Sequence, residues 1–96
     1  MLREYEGTFI FRASLDDDGI AKEIEQVEGL IKSEGGEPGE WDKWGKRRLA
    51  YEIKDESDGY YAFLTFKGTP ESIERLVAAF RLRENILRTM FIVKDK

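Results

Sequence analysis

Two segments with helical periodicity, each apolar along a single stripe, limit what this chain can become. In the first, Ile20, Ile24, Val27 and Ile31 recur at i, i+4, i+7 and i+11 with Lys22, Glu23, Glu25 and Glu28 between them, the pattern of an amphipathic helix laid on a sheet. The second opens at Thr69 and Pro70, an N-cap followed by a first-turn proline, and Glu71 and Glu74 favour the same end of the helix dipole. Ile73, Leu76, Val77 and Phe80 give it a buried stripe, and it runs to near Asn85. Two such helices cover only one face of a small antiparallel sheet, so the remaining segments should supply a sheet with a second face left open.

Those segments alternate with period two. Tyr5 to Arg12 sets Tyr5, Gly7, Phe9 and Phe11 against Glu6, Thr8, Ile10 and Arg12, a strand with one fully apolar face. Ser14, ahead of Leu15 and Asp16 to Asp18, reads as the N-cap of the first helix, with the aspartates on the positive end of its dipole. Gly35, Gly36, Pro38 and Gly39 end that helix. Glu40 to Lys43 is either a loop or the outer end of a long strand. From Trp44 to Lys54, WGKRRLAYEIK, Lys46, Arg47 and Arg48 carry charge outward, while Leu49, Tyr51 and Ile53 alternate into a core. Asp55 to Gly59 reads as a hairpin turn, and Tyr60 to Lys67 returns with Tyr60, Ala62, Leu64 and Phe66 on one face and Tyr61, Phe63 and Thr65 on the other. Leu87 to Lys94 is the last strand.

The order is strand, helix, strand, strand, helix, strand. That is an α+β chain, and at this length it predicts a ferredoxin-like βαββαβ sandwich: a four-stranded antiparallel sheet with two helices on one face, in a single domain over residues 1–96. Both faces of the third strand carry aromatics. Tyr61 and Phe63 on the uncovered face either receive a partner or pair with neighbouring strands.

Composition narrows the function. There is no histidine and no cysteine, which removes the commonest general base, the commonest nucleophile and the usual zinc ligands; the chain reads as a non-enzyme without metal or cofactor. Asp16 to Asp18 lack the six to eight oxygens at loop spacing that calcium takes. No apolar run approaches the roughly 20 residues of a membrane span, and MLREYEG has no secretory-signal pattern, so a cytoplasmic protein without membrane or small-molecule partner is expected. Net charge is −4, but residues 1–42 hold 12 acidic and 4 basic side chains while residues 43–96 hold 8 acidic and 12 basic. The second half can therefore present a local positive face to phosphate, because salt screens each charge beyond about 8 to 10 Å. Arg81, Arg83 and Arg88 cluster where the second helix meets the last strand; the first two also suit a helix C-terminus, and Arg88 does not have that explanation.

At Gly45 to Lys54, GKRRLAYEIK, the chain resembles the bacterial small-subunit ribosomal protein S6 family, in which glycine and basic residues lead into a Leu-Ala-Tyr-x-Ile strand. The resemblance extends to the Tyr-Glu pair in Arg3 to Glu6, to Gly59, Tyr60 and Tyr61, and to Arg81 to Ile86, which is similar to the family's Arg-x-Arg-Asp-Asn-Val turn. Leu87 departs from it, standing where many members carry a second arginine. The resemblance implies a ribosomal protein that catalyses nothing and binds the central domain of small-subunit ribosomal RNA together with ribosomal protein S18. Carried over by position, it makes Arg47, Arg48, Arg81, Arg83, Arg88 and Lys94 candidates for RNA contact, and Tyr51, Tyr61 and Phe63 candidates for the partner or RNA surface.

Three other readings share the topology. An RNA-recognition-motif-like binder of single-stranded RNA would use Tyr61 to Phe66 as its stacking strand, but Gly59 and Tyr60 replace the Lys/Arg-Gly that should precede it, and Phe9 and Phe11 fall on the helix-covered face. A small regulatory or oligomerising domain would use the aromatics as an interface. An acylphosphatase-like enzyme would need a glycine-rich phosphate loop that is missing here.

Overall fold

The aromatic face of the first strand becomes the centre of the molecule. In the computed structural model, which describes residues 2–94, β1 spans Arg3–Arg12, and its Tyr5, Phe9 and Phe11 are buried. It is followed by α1 (Asp17–Ser33), β2 (Glu37–Ile53), β3 (Glu56–Gly68), α2 (Pro70–Arg81) and β4 (Ile86–Val93). The strands form one antiparallel sheet in the order β2-β3-β1-β4, so β1 and β3 are interior and β2 and β4 are edges. This is the expected ferredoxin-like arrangement. Ile20, Ile24, Val27 and Ile31 of α1 and Leu76 and Phe80 of α2 share a core with Phe9, Phe11, Ala62, Leu64 and Phe66. Phe9 meets Phe80 edge-on at 5.3 Å and Trp41 of β2 at 5.5 Å.

Several boundaries differ from those the pattern predicts. The N-cap of α1 is Asp16 rather than Ser14; its carboxylate accepts from the Gly19 amide at 2.8 Å, and a preceding turn, Leu15 N–H to Arg12 O, moves the helix start past the serine. At α2 the expected Thr69 cap is present, with Ser72 completing a reciprocal capping pair. That helix stops at Arg81, four residues before the expected end. Glu40 to Lys43 belong to a 17-residue β2, in which Trp41 turns to the core and donates its indole N–H to Glu28 of α1 at 2.9 Å. The β2–β3 turn is also shorter than Asp55 to Gly59. Lys54 and Asp55 both take positive φ, 51° and 65°, the backbone of a tight two-residue turn matched to strand twist, and Glu56 onward is already strand.

The helix-free face has its own small cluster. Ile10, Leu49 and Leu87 are buried there, with Ile53 and Tyr61 packed against them. Leu49 and Ile53 therefore do not enter the main core as the alternation of β2 implies, and Tyr51 between them is 61% exposed. Leu87 is turned to this face by a bulge, since Phe11 pairs with Ile86 and Ile10 with Arg88. An apolar residue at position 87 thus fills the cluster. Gly59 allows the close approach: a Cβ there would stand 2.4 Å from Ile10 Cγ2 and 3.2 Å from Leu49 Cδ2.

Polar ties fasten the ends. Glu23 of α1, only 6% exposed, accepts from Arg83 at 3.2 and 3.4 Å and from Asn85 at 3.0 Å, which joins α1 to the segment between α2 and β4. Arg75 of α2 pairs with Glu34 at the end of α1, 2.6 Å apart. Arg12 bonds Glu56 at 2.8 Å and the Glu84 carbonyl at 2.9 Å, and the Lys54 ammonium donates to the Ile86 carbonyl at 3.1 Å, so the β2–β3 hairpin tip is held against the start of β4.

Gly59→Ala should lower unfolding free energy by about 1 to 3 kcal/mol, because the methyl meets a β-branched side chain with little rotamer freedom; a urea titration checks this. Arg83→Ala should cost about 1 to 3 kcal/mol by leaving the Glu23 carboxylate with one donor fewer. Arg81→Ala, two residues away on an exposed position, should stay within about 0.5 kcal/mol in the same titration.

Candidate nucleic-acid interface

The register sorts the outward residues into rows across the open face. Tyr61 of β3 faces Gly45 on one side and Ile10 on the other, and Ile10 faces Arg88. In the next row Phe63 faces Thr8, and Thr8 faces Met90. Thr65, Glu6 and Ile92 make a third. An apolar strip thus crosses the sheet, with Tyr61 and Phe63 half-buried and Met90 and Ile92 45% and 55% exposed. Phe63 lies beside Thr8 and not beside a β1 aromatic, as the alternation predicts.

A residue whose placement the sequence pattern does not settle completes the strip. Between the Lys43–Ala62 and Gly45–Tyr61 pairs the register shifts, leaving Trp44 as the extra residue, and Gly45 takes φ +83°, a left-handed conformation that suits glycine. The bulge brings the Trp44 ring edge-on to Phe63, centroids 4.8 Å apart, with its N–H on Asp42 at 3.1 Å. Half of Trp44 stays exposed. The signal for Met90 and Ile92 is present in the sequence: once Phe91 is assigned inward, its neighbours must point out.

The basic triplet occupies the outer edge of β2. Arg47 pairs with Gly59 and shares the open-face parity of Leu49 and Tyr51, while Lys46 and Arg48 pair with Tyr60 and Asp58 and alternate to the other side. The three cations, expected to carry charge outward, therefore flank the edge from both sides. All three are exposed; Arg47 donates only to the Lys46 carbonyl at 3.0 Å, and Arg48 has no side-chain partner among the described residues.

The other candidates separate by environment. Arg81 is exposed and without a side-chain partner among the described residues. Arg83 is held by Glu23, which gives it a structural role in the free protein. Arg88 lies on the open face at the far edge strand, bonded to the Tyr51 hydroxyl. Lys94 follows β4, and its amide donates to the Glu4 carbonyl at 2.8 Å, leaving the exposed side chain beside the N-terminal strand. Among the described residues no group of three or more His, Cys, Asp or Glu could hold a metal ion, and no helix is long and apolar enough to cross a membrane.

Comparison with known proteins agrees with this layout. The chain is 41% identical over 96 residues to small ribosomal subunit protein bS6 of Carboxydothermus hydrogenoformans, all of each chain being covered. It is 37% identical over 94 residues to the protein of that name from Clostridium botulinum strain Loch Maree, covering 98% of this chain and all of the relative. The crystal structure of 30S ribosomal protein S6 from Thermotoga maritima shares the fold, with a TM-score of 0.87 at 24% identity over 98% of this chain and 89% of that one. The fold is not confined to ribosomal proteins: the C-terminal domain of Mycobacterium tuberculosis MgtC gives a TM-score of 0.66 at 14% identity, covering 97% of this chain and 88% of that one. The model of the ribosomal protein S6 family matches residues 4–93, and the chain belongs to that family.

Proposed function

We propose that the protein is a structural constituent of the bacterial small ribosomal subunit, in the cytoplasm, that binds the central domain of small-subunit ribosomal RNA together with ribosomal protein S18. The family is one of ribosomal structural proteins and not of enzymes. The observation that carries the RNA half of the reading is the exposed Lys46-Arg47-Arg48 edge of β2. Its cations straddle an edge strand that is anchored below by Leu49, so they can meet phosphates on either side without burying charge. Arg81 adds a further exposed cation, and Lys94 another at the opposite edge. Arg83 enters the interface only by sharing its guanidinium with Glu23.

The charge distribution supports a cooperative mechanism. Residues 1–42 carry −8 and residues 43–96 carry +4, so the solitary protein offers RNA a small positive footprint inside a negative molecule. A partner that brings its own basic surface would raise affinity without any change in these residues. One observation favours a second reading: the Trp44–Phe63 pair on the open face could stack on unpaired bases.

Binding to a central-domain RNA fragment, titrated across salt with and without S18, separates these. The proposal expects tight, salt-sensitive binding that requires S18. The double variant Arg47→Glu, Arg48→Glu should weaken it and lower the salt slope by about 1 for each phosphate that is no longer neutralised; an unchanged slope removes both residues from the interface. Equal binding to arbitrary single-stranded RNA without S18 would instead establish the stacking platform.

A further inference from the structure

The basic edge of β2 and the turn between α2 and β4 meet at one end of the molecule, and Arg12 stands between them. Arg12 closes β1 and pairs with Gly59 of β3, which pairs in turn with Arg47 of β2. On its other side the Arg12 amide donates to the Asn85 carbonyl at 3.0 Å, in the turn that follows Arg81. The guanidinium spans the gap, with Nη1 on the Glu56 carboxylate at 2.8 Å and Nε on the Glu84 carbonyl at 2.9 Å. The side chains of this ion pair are only 25% and 28% exposed, so salt screens it less than a surface pair.

Both ends of the tie bear on cations. The β2–β3 ladder skips from the Arg48–Asp58 pair to the Ile53–Glu56 pair, so backbone bonds alone do not fix the stretch just beyond Lys46 to Arg48. At the other end, Glu23 of α1 accepts from Arg83 and Asn85, on either side of Glu84. The carbonyl that Arg12 grips therefore belongs to a turn already fastened to a helix. Two groups of cations on segments that move independently must be ordered before both can meet one RNA backbone. A tie made in the free protein removes that cost from binding.

We propose that Arg12 is a positioning residue for RNA binding. Through Glu56 and the Glu84 carbonyl it locks the β2–β3 hairpin to the α2–β4 turn, so that Lys46 to Arg48 and Arg81 are presented as one rigid rim, while its own guanidinium stays on protein acceptors. The inference rests on the reading that the β2 edge binds the RNA, and it names the residue that holds this edge ready. The basic motif does not point to it, since Arg12 and Glu56 are 44 positions apart.

The test measures the affinity of the whole chain for the central-domain RNA fragment at saturating S18, across salt, in Arg12→Ala and Glu56→Ala. Circular dichroism confirms that each variant is folded. Arg75→Ala, which removes the ion pair to Glu34 after the last turn of α1, controls for the loss of an ion pair elsewhere. Arg12→Ala and Glu56→Ala are each expected to weaken binding about threefold to tenfold at an unchanged salt slope, because the same phosphates are met once both patches engage. Hydrogen exchange at the amides of residues 49–56 should rise in both free variants, and Arg75→Ala should match the wild type in both readouts. The sign at Glu56 is decisive: loss of a carboxylate near phosphates strengthens binding by charge alone, whereas the tie requires the opposite. Affinity at or above the wild-type value in either variant would overturn the proposal and leave the reading of the basic edge standing, as would equal weakening in Arg75→Ala. A salt slope lowered by about 1 in Arg12→Ala would also overturn it, by making the guanidinium a phosphate contact. If the wild-type chain binds no RNA, or if Arg47→Glu, Arg48→Glu binds it unchanged, the reading of the basic edge falls and this inference with it.

Discussion

Phe9 is the contact on which the layers depend. Its ring, fully buried, meets Phe11 from its own strand, Trp41 from β2, Phe80 from α2 and Phe91 from β4, at centroid separations of 5.3 to 6.1 Å. Aromatic rings bury large areas and prefer offset-stacked or edge-on neighbours, so one side chain on an interior strand fixes both edge strands and a helix relative to the sheet. β2 gains most. It is an edge strand broken by three register shifts, and Trp41, with its bond to Glu28 of α1, secures the portion that precedes the basic residues. A strand so secured can carry exposed cations on its outer edge without fraying into solvent.

The second cluster does for the hairpin what Phe9 does for the sheet. Beyond Arg48 the β2–β3 ladder skips to the Ile53–Glu56 pair, so this stretch of β2 is not held by continuous backbone hydrogen bonds. Leu49 instead packs on Ile10 and Leu87 over the space that Gly59 leaves open. Lys54 donates to the Ile86 carbonyl, Arg12 donates to Glu56 and to the Glu84 carbonyl, and Arg88 donates to the Tyr51 hydroxyl, which ties the tip to β4 and the neighbouring loop. The open face consequently has hollows between hairpin and sheet. Its shape comes from side chains with no helix above them.

Much of this can be read from residue order, and the misses share a cause. Period and capping identify both helices, all four strands and the helix-covered face, because those depend on side chains facing one core. Leu49 and Ile53 fall to the wrong side because alternation gives parity but not which face is which; the bulge at Trp44 and the register against β3 decide it. Ser14 and Asp16 are comparable caps on propensity alone, and the Leu15–Arg12 turn chooses between them. For the hairpin, the glycine of Asp55 to Gly59 suggests the turn, yet Gly59 is needed in the strand for packing against Ile10, and Lys54 and Asp55 take the positive φ instead. At the interface, the cations are visible in the sequence, but Arg83's engagement with Glu23 is not, since the two are 60 positions apart.

That last case shows how function is written onto this fold. The MgtC domain reaches a similar backbone at 14% identity, so the βαββαβ frame cannot by itself select a partner. The arginines of this chain differ from one another in their neighbours. Arg83 lies beside a buried carboxylate and is part of the frame; Arg47 and Arg48 stand exposed on a free edge; Arg88, set in an apolar strip, donates to a phenol. One residue type thus occupies three environments, and burial and the nearest acceptor tell them apart where the sequence motif does not.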